Sequence, residues 1–278
     1  MTKSEVPFVR LSDGREIPQL GFGTFQIAPA DTERTVAHAL EAGYRHLDTA
    51  QMYGNEEGVG RAVAASGLPR DDLWITTKLN NPFHSRDAAR EATQRSLEAL
   101  GGRIDLYLVH WPLAMHADVA RVWEVMQEIG SEPEVGSIGV SNFTGANLDR
   151  LAEVGAVSPT VNQIEANPYF VNDDLRTICA EREIAVEAWS PLAQGAVFGD
   201  PQLTSLAEQV GRTVSQVVLR WTLQRGDIVF PKSSDPTRMR ENLDVFDFQL
   251  TDEQMASISA LHTGTRSGPD PDAFDWRG

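Results

Sequence analysis

Between residues 19 and 231 the chain repeats one unit, a short apolar run followed by an amphipathic stretch of helical period. The apolar runs fall at residues 19–21, 46–48, 73–78, 105–110, 136–140, 161–165, 185–189 and 228–231. The amphipathic stretches fall at 32–42, 57–65, 86–100, 119–129, 147–154, 173–183 and 214–224. A strand that returns through a helix lies parallel to its predecessor. Eight such strands are the number that closes into a (β/α)8 TIM barrel, an α/β fold for which 278 residues suffice.

The flanking segments add to the barrel rather than divide it. Residues 8–11 and 16–17 read as strands around an Asp13-Gly14 turn, a hairpin expected to plug the barrel floor. Two extra helices are expected, at 201–210 before the last repeat and at 251–261 after it. Thr251 would be the N-cap of the second, with Glu253 in its first turn. Residues 263–278, rich in Gly, Pro and Asp, read as a mobile tail or loop. No linker interrupts the rhythm, so residues 1–278 are expected to form a single domain. A doubly wound dinucleotide fold is the rival. Gly21-Phe22-Gly23 begins its fingerprint, but Gln26 stands in place of the third glycine and no helix opens at the second.

Composition narrows the function. The net charge is −16, which disfavours nucleic-acid binding because that needs a basic face. The single cysteine, Cys179, cannot form an internal disulfide and reads as an inert buried thiol in a helix. With neither a signal-like apolar segment nor a bilayer-length one, a cytoplasmic, membrane-free location is expected. The six histidines form no H-x-H or H-x-x-x-H pair, so no metal site is expected.

Basic residues are unevenly chosen. Of 24, 21 are arginine, and two of the three lysines, Lys78 and Lys232, end apolar runs. Lysine is a compact charge with a shiftable pKa, which draws attention to both, although drift in codon usage would also leave such a pattern. In a barrel, strand ends and the loops after them converge on one face. That face would gather Asp48, Tyr53, Lys78 and His110. A phenol titrates near ~10, and an adjacent ammonium would lower that value. Asp48 would hold Lys78, and His110 would orient a carbonyl oxygen. Together they suit protonation of an oxygen that is gaining negative charge. Singly, each has a structural alternative: Asp48 as a cap, Tyr53 on the surface, Lys78 in a structural pair, His110 in the core. No activated serine or cysteine accompanies them, and no second carboxylate for glycoside hydrolysis.

Four segments carry a family resemblance: 48–56 (DTAQMYGNE), 106–112 (LYLVHWP), 138–143 (IGVSNF) and 230–233 (FPKS). They resemble the signature segments of the aldo-keto reductases, over about residues 18–250, and the short loops and tail are similar to the bacterial 2,5-diketo-D-gluconate reductase branch. The resemblance implies a catalytic tetrad of Asp48, Tyr53, Lys78 and His110 and an NADPH extended across the mouth. Ser141, Asn142 and Gln163 would meet the nicotinamide amide, Trp189 would stack on the ring, and Thr24 and Asp48 would touch its ribose. Ser190, Leu192 and Gln194 would follow the pyrophosphate, with Phe230 beside the cofactor. Lys232, Ser233, Ser234 and Arg238 would hold the 2′-phosphate, and Glu241 and Asn242 would lie near the adenine. Two cations beside serine hydroxyls, where a loop leads into a helix, independently suit a phosphate dianion. A solvated basic patch is the plainer alternative.

The substrate wall is expected from Phe22, Met52, Trp111 and Trp276, with His110 and Asn80 as polar contacts. Asn80 replaces a tryptophan found in many relatives, and Asp235 replaces a neutral or basic residue, which would weaken the phosphate clamp. The expected activity is NADPH-dependent reduction of aldehydes, ketones or α-dicarbonyls, keto-sugars among them, by a monomer. A cofactor-binding redox sensor and a barrel hydrolase or lyase are the other classes. The intact tetrad argues against the first, and the lack of a metal or carboxylate pair against the second.

Overall fold

The fold is that of a computed structural model, which describes residues 6–153 and 157–276. Strands β1 (Phe8–Arg10) and β2 (Glu16–Pro18) form the antiparallel hairpin, paired Phe8 to Pro18 and Arg10 to Glu16. Eight parallel strands follow in sequential order: β3 (Phe22–Gly23), β4 (His46–Asp48), β5 (Trp74–Leu79), β6 (Ile104–Val109), β7 (Val135–Ser141), β8 (Val161–Glu165), β9 (Ala185–Trp189) and β10 (Ile228–Val229). A parallel bridge between Leu20 and Val229 joins the last strand to the first. The Gly21 amide donates to the Val229 carbonyl at 2.8 Å and the Val229 amide to Gln19 at 2.9 Å, so the barrel closes. β10 stops before Pro231, which has no N–H for a further rung.

Helices separate the strands: α1 (Pro29–Ala42), α2 (Glu56–Ala65), α3 (Arg86–Leu100), α4 (Val119–Ile129), α5 (Gly145–Ala152), α6 (Asp173–Glu181), α7 (Pro201–Val210), α8 (Val214–Gln224), α9 (Pro236–Leu243) and α10 (Asp252–Ser259). The two extras are α7 and α10. The eighth barrel helix, α9, carries five charged or polar residues in eight, too few apolar ones to show a periodic stripe. At α10, Thr251 caps and Glu253 stands in the first turn, both as expected, and Gln254 completes a capping box with Thr251. α6 stops short of 183, where Glu183 takes a left-handed φ of 57°. The expected end of α5, at 154, lies outside the described residues.

The barrel interior changes character with height. At the floor, Leu11 and Ile17 of the hairpin pack with Trp74, Leu106, Val161 and Ile228, and Ser137 donates to Asp13 at 2.6 Å. Higher up, the period of two along each strand points His46 and Asp48, Thr76 and Lys78, and Gln163 and Glu187 inward, all buried. A dry apolar floor therefore carries a buried polar layer beneath the mouth. Among the described residues no helix is long and apolar enough to cross a membrane.

Outside the barrel, α2 meets α3 at Gly60. A Cβ there would fall 1.9 Å from the backbone carbonyl oxygen of Ala99. In an isolated helix Gly→Ala is worth about 1 kcal/mol of stability. Here the methyl meets rigid backbone, so the sign reverses. Gly60→Ala is expected to destabilise the fold by about 2–3 kcal/mol in urea unfolding; a gain would show that the two helices can part freely.

Candidate active site

Lys78 is wholly buried near the end of β5. Its ammonium donates to both carboxylate oxygens of Asp48, at 2.8 and 2.9 Å, and to the Thr49 carbonyl at 2.8 Å. Its remaining contact is the Tyr53 hydroxyl, at 3.4 Å. Burial pushes the Lys78 ammonium down, but Asp48, Tyr53 and Glu187 outweigh it and hold its pKa above the ordinary value. Burial likewise raises Asp48, and Lys78 pulls it back without cancelling the rise. The two short contacts to one ammonium are the geometry of an ion pair.

Tyr53 lies on a 3-10 turn, Gln51–Tyr53, closed by Gly54 at a left-handed φ of 64°. Gln51 pins that turn with its Nε2, which has the Ala92 carbonyl and the Ser96 and Tyr107 hydroxyls within hydrogen-bond reach, while its Oε1 accepts from the Asn80 amide. The Tyr53 ring meets the His110 ring edge-on, with centroids 5.7 Å apart. The phenol pKa is raised, not lowered: burial is the largest influence, Lys78 pulls down, and Asp48 pushes up. This corrects the expectation of an acidified phenol. The lysine stabilises the phenolate, but withdrawal from water does more. Tyr53 thus keeps its proton through neutral pH. His110 is also buried, which with Lys78 and His84 drives its pKa well down and leaves a neutral imidazole with one N–H.

A cleft of about 1330 Å³ opens above these groups. Asp48, Met52, Tyr53, His110, Trp111, Ser141, Asn142, Gln163 and Trp189 line its near end. Ser190, Leu192, Gln194 and Phe230 line the middle, and Lys232, Ser233, Ser234, Arg238, Glu241 and Asn242 the far end. The near-end amides are held in place. Asn142 accepts from the Trp189 indole at 2.9 Å and donates to Ser141 and to the His110 carbonyl. The Gln163 Nε2 bridges Asp48 and Glu187 at 2.8 and 2.7 Å, leaving its Oε1 for a ligand.

Several expected positions lie elsewhere. Phe22 is in the strand wall, fully buried and edge-on to Tyr44 at 5.5 Å; Phe25, half exposed, takes the place at the mouth, 5.1 Å from the Tyr53 ring. Thr24 is buried and donates to the Asp48 carbonyl at 3.0 Å. Asn80 accepts from the Asn81 amide and caps a short turn instead of lining the cleft. The Trp276 side chain does not line the cleft; its carbonyl accepts from Asn81 at 2.8 Å, and Phe274 stacks on Trp111 instead, with centroids 4.0 Å apart. Asp235 caps α9 through the Thr237 and Arg238 amides, which lower its pKa. The carboxylate set against the clamp is therefore engaged by a helix terminus. Residues 213–215 and 268–269 also line the cleft. They come from a helix start and the tail, where no local pattern marks them.

A (β/α)8 barrel with this mouth defines an oxidoreductase class, and the chain belongs to the Aldo/keto reductase family, whose sequence model matches residues 19–263. It is 46% identical over 273 residues to an aldo-keto reductase of Mycolicibacterium smegmatis, covering 98% of this chain and 99% of that one. It is 44% identical to the methylglyoxal reductase DkgA of Yersinia pestis, covering 96% and 97%. Among solved structures it is similar to a Bombyx mori aldo-keto reductase in complex with NADP, with a TM-score of 0.91, 37% identity and 97% of each chain covered.

Glu187 gives this layer a pH signature. Burial pushes its carboxyl up to about 8, and Asp48 adds to the rise, while Gln163 and Lys78 oppose it. The folded state then holds a proton that the unfolded state releases near pH ~4.3. This contribution to stability is complete below that value and disappears as the pH rises to about 8. His46, lowered to about 3 chiefly by burial, acts in the opposite sense at acid pH. Relative to Glu187→Gln, wild type is expected to lose about 1.4 kcal/mol of stability per pH unit as the pH rises across that window. Urea titrations from pH 5 to 8 measure it; a constant difference would contradict a protonated Glu187.

Proposed function

We propose that this chain is an NADPH-dependent carbonyl reductase with Tyr53 as proton donor, acting on aldehydes, ketones and α-dicarbonyls, keto-sugars among them. The observation that carries the reading is the Tyr53 hydroxyl at 3.4 Å from an ammonium that is itself fixed on Asp48. The α-dicarbonyl assignment draws on the relative that is a methylglyoxal reductase.

The cleft fits an extended dinucleotide. Its volume exceeds the ~300–1,000 Å³ of an ordinary small-ligand pocket. At its far end Lys232 and Arg238 stand beside Ser233 and Ser234, and among the described residues neither cation is in an ion pair. Such a donor set suits a phosphate dianion rather than a ribose hydroxyl. The relative solved with NADP is consistent with this. When bound, the reduced nicotinamide supplies the hydride.

The chain's own groups do the rest. Trp189 and Gln163 provide a flat face and an amide oxygen for the ring. The neutral His110 donates one hydrogen bond to the carbonyl oxygen and fixes its direction. As negative charge grows on that oxygen, Tyr53 transfers its proton there. The phenolate that remains lies against the Lys78 ammonium, which stabilises it in a site removed from water. Phe25, Met52 and Trp111 form apolar walls that exclude water from the reacting carbon, and Phe274 stacks on Trp111.

Two measurements test this reading. Tyr53→Phe is expected to lower turnover of simple aldehydes by about 10²–10⁴ while NADPH still quenches tryptophan fluorescence; wild-type-like rates would refute the proton-donor role. Arg238→Ala is expected to weaken NADPH binding by roughly 10- to 100-fold and leave NADH binding unchanged. An equal loss for both cofactors would place the 2′-phosphate elsewhere.

A further inference from the structure

Glu165 ends β8 at the barrel mouth and has no part in the chemistry above. Its side chain is buried, the residue being 1% exposed, and among the described residues no cation pairs with it. Four hydrogen bonds hold the carboxylate instead. The Ser267 amide donates at 2.5 Å and the Ser267 hydroxyl at 2.6 Å. The Gly268 amide donates at 3.3 Å and Asn167 Nδ2 at 3.3 Å. Three of these come from the segment after α10, which has no helix or strand of its own beyond turns. Successive backbone N–H groups converging on one carboxylate make an anion nest, here with the anion supplied by the barrel.

The contacts on either side of that nest lead into the cleft. Gly268 packs on Trp189 so closely that a Cβ would fall 2.4 Å from the ring. Gln194 donates to the Ser267 carbonyl at 2.9 Å. Beyond them the segment brings Pro269 and Phe274 into the lining beside His110, and Phe274 lies on Trp111. Single contacts hold the segment elsewhere, the Thr263 amide on the Tyr169 carbonyl, Arg266 over Phe170 and the Asn81 amide on the Trp276 carbonyl, whereas Glu165 takes three donors from residues 267–268 together. A carboxylate that takes three donors from two successive residues gives the segment a point it can leave only by giving up all three hydrogen bonds at once. The Gly- and Pro-rich tail is thus a tethered roof.

We propose that Glu165 is a positioning residue for substrate selection: it grips Ser267 and Gly268 and thereby holds Phe274 over Trp111 as the roof of the substrate side. The inference rests on reading the cleft as a carbonyl pocket. Large apolar carbonyls would use this roof. A carbonyl of three carbons would react against Tyr53 and His110 without reaching it.

The test uses the full chain and pairs hydrogen exchange with kinetics. In Glu165→Ala, amide exchange across 265–276 is expected to accelerate by roughly 100-fold or more. KM for a naphthaldehyde should rise roughly 10-fold, with kcat within about threefold. KM for methylglyoxal should stay at the wild-type value. Glu165→Gln, which keeps an acceptor oxygen, should fall between the two. Phe274→Ala should raise the same KM, and adding Glu165→Ala to it should raise it little further, because the two act through one contact. Ser267→Ala, on the tail itself, should give a smaller shift in the same direction, and it decides the matter if the Glu165 variants do not fold. Unchanged tail exchange in Glu165→Ala would overturn the proposal. So would an equal loss of kcat for both carbonyls, or fully additive effects with Phe274→Ala. Failure of the wild type to reduce any carbonyl would refute the functional reading instead, and the exchange data would still decide whether Glu165 holds the tail.

Discussion

Lys78 and Asp48 are oppositely charged side chains with almost no access to water, and the place of the ammonium that faces Tyr53 follows from how they hold each other. Desolvating each ion costs several kcal/mol. Good geometry offsets the loss: two short contacts between the pair, a carbonyl on the ammonium, and the Gln163 amide on the carboxylate. Breaking either partner would leave a buried charge alone, so the pair is fixed in position even where it adds little net stability. A fixed ammonium at the Tyr53 hydroxyl favours the phenolate without acidifying the resting phenol. The two effects separate because burial opposes ionisation at all times, whereas the lysine's pull matters most as the proton leaves.

The same low-dielectric layer extends sideways. Thr76 lies within hydrogen-bond distance of His46 at 3.1 Å, Gln163 bridges Asp48 to Glu187, and His46 and Glu187 are each held in the neutral form. Neutrality there leaves Lys78 and Asp48 as the ionised pair of the layer. The apolar floor below, sealed by the hairpin, keeps water from entering from the opposite end.

The legible parts of this molecule were those with local periodicity. The strands at 46–48, 161–165 and 185–189 and the helices at 86–100, 119–129, 201–210 and 214–224 coincide with their expected limits, because apolar spacing there is unambiguous. The tetrad could be read because each member ends a strand or follows one. Phe22 was misplaced because the first strand was expected to end at 21. A strand at 22–23 turns residue 22 into the wall and leaves Phe25 for the loop. Asn80 and Trp276 went astray for another reason. Whether a loop side chain faces the cleft depends on partners far away in sequence, such as Asn81 for the Trp276 carbonyl. The direction of the Tyr53 shift was invisible too, since the depth of burial is a property of the assembled barrel.

The scarcity of lysine makes the central claim directly measurable. Nitrogen-15 NMR of lysine side chains should show few signals, since the sequence holds Lys3, Lys78 and Lys232 alone. The Lys78 ammonium should remain protonated beyond the ordinary lysine range in the wild type and titrate at a lower pH in Asp48→Asn. A Lys78 signal that titrates at or below the ordinary range in the wild type, unmoved by Asp48→Asn, would contradict the account.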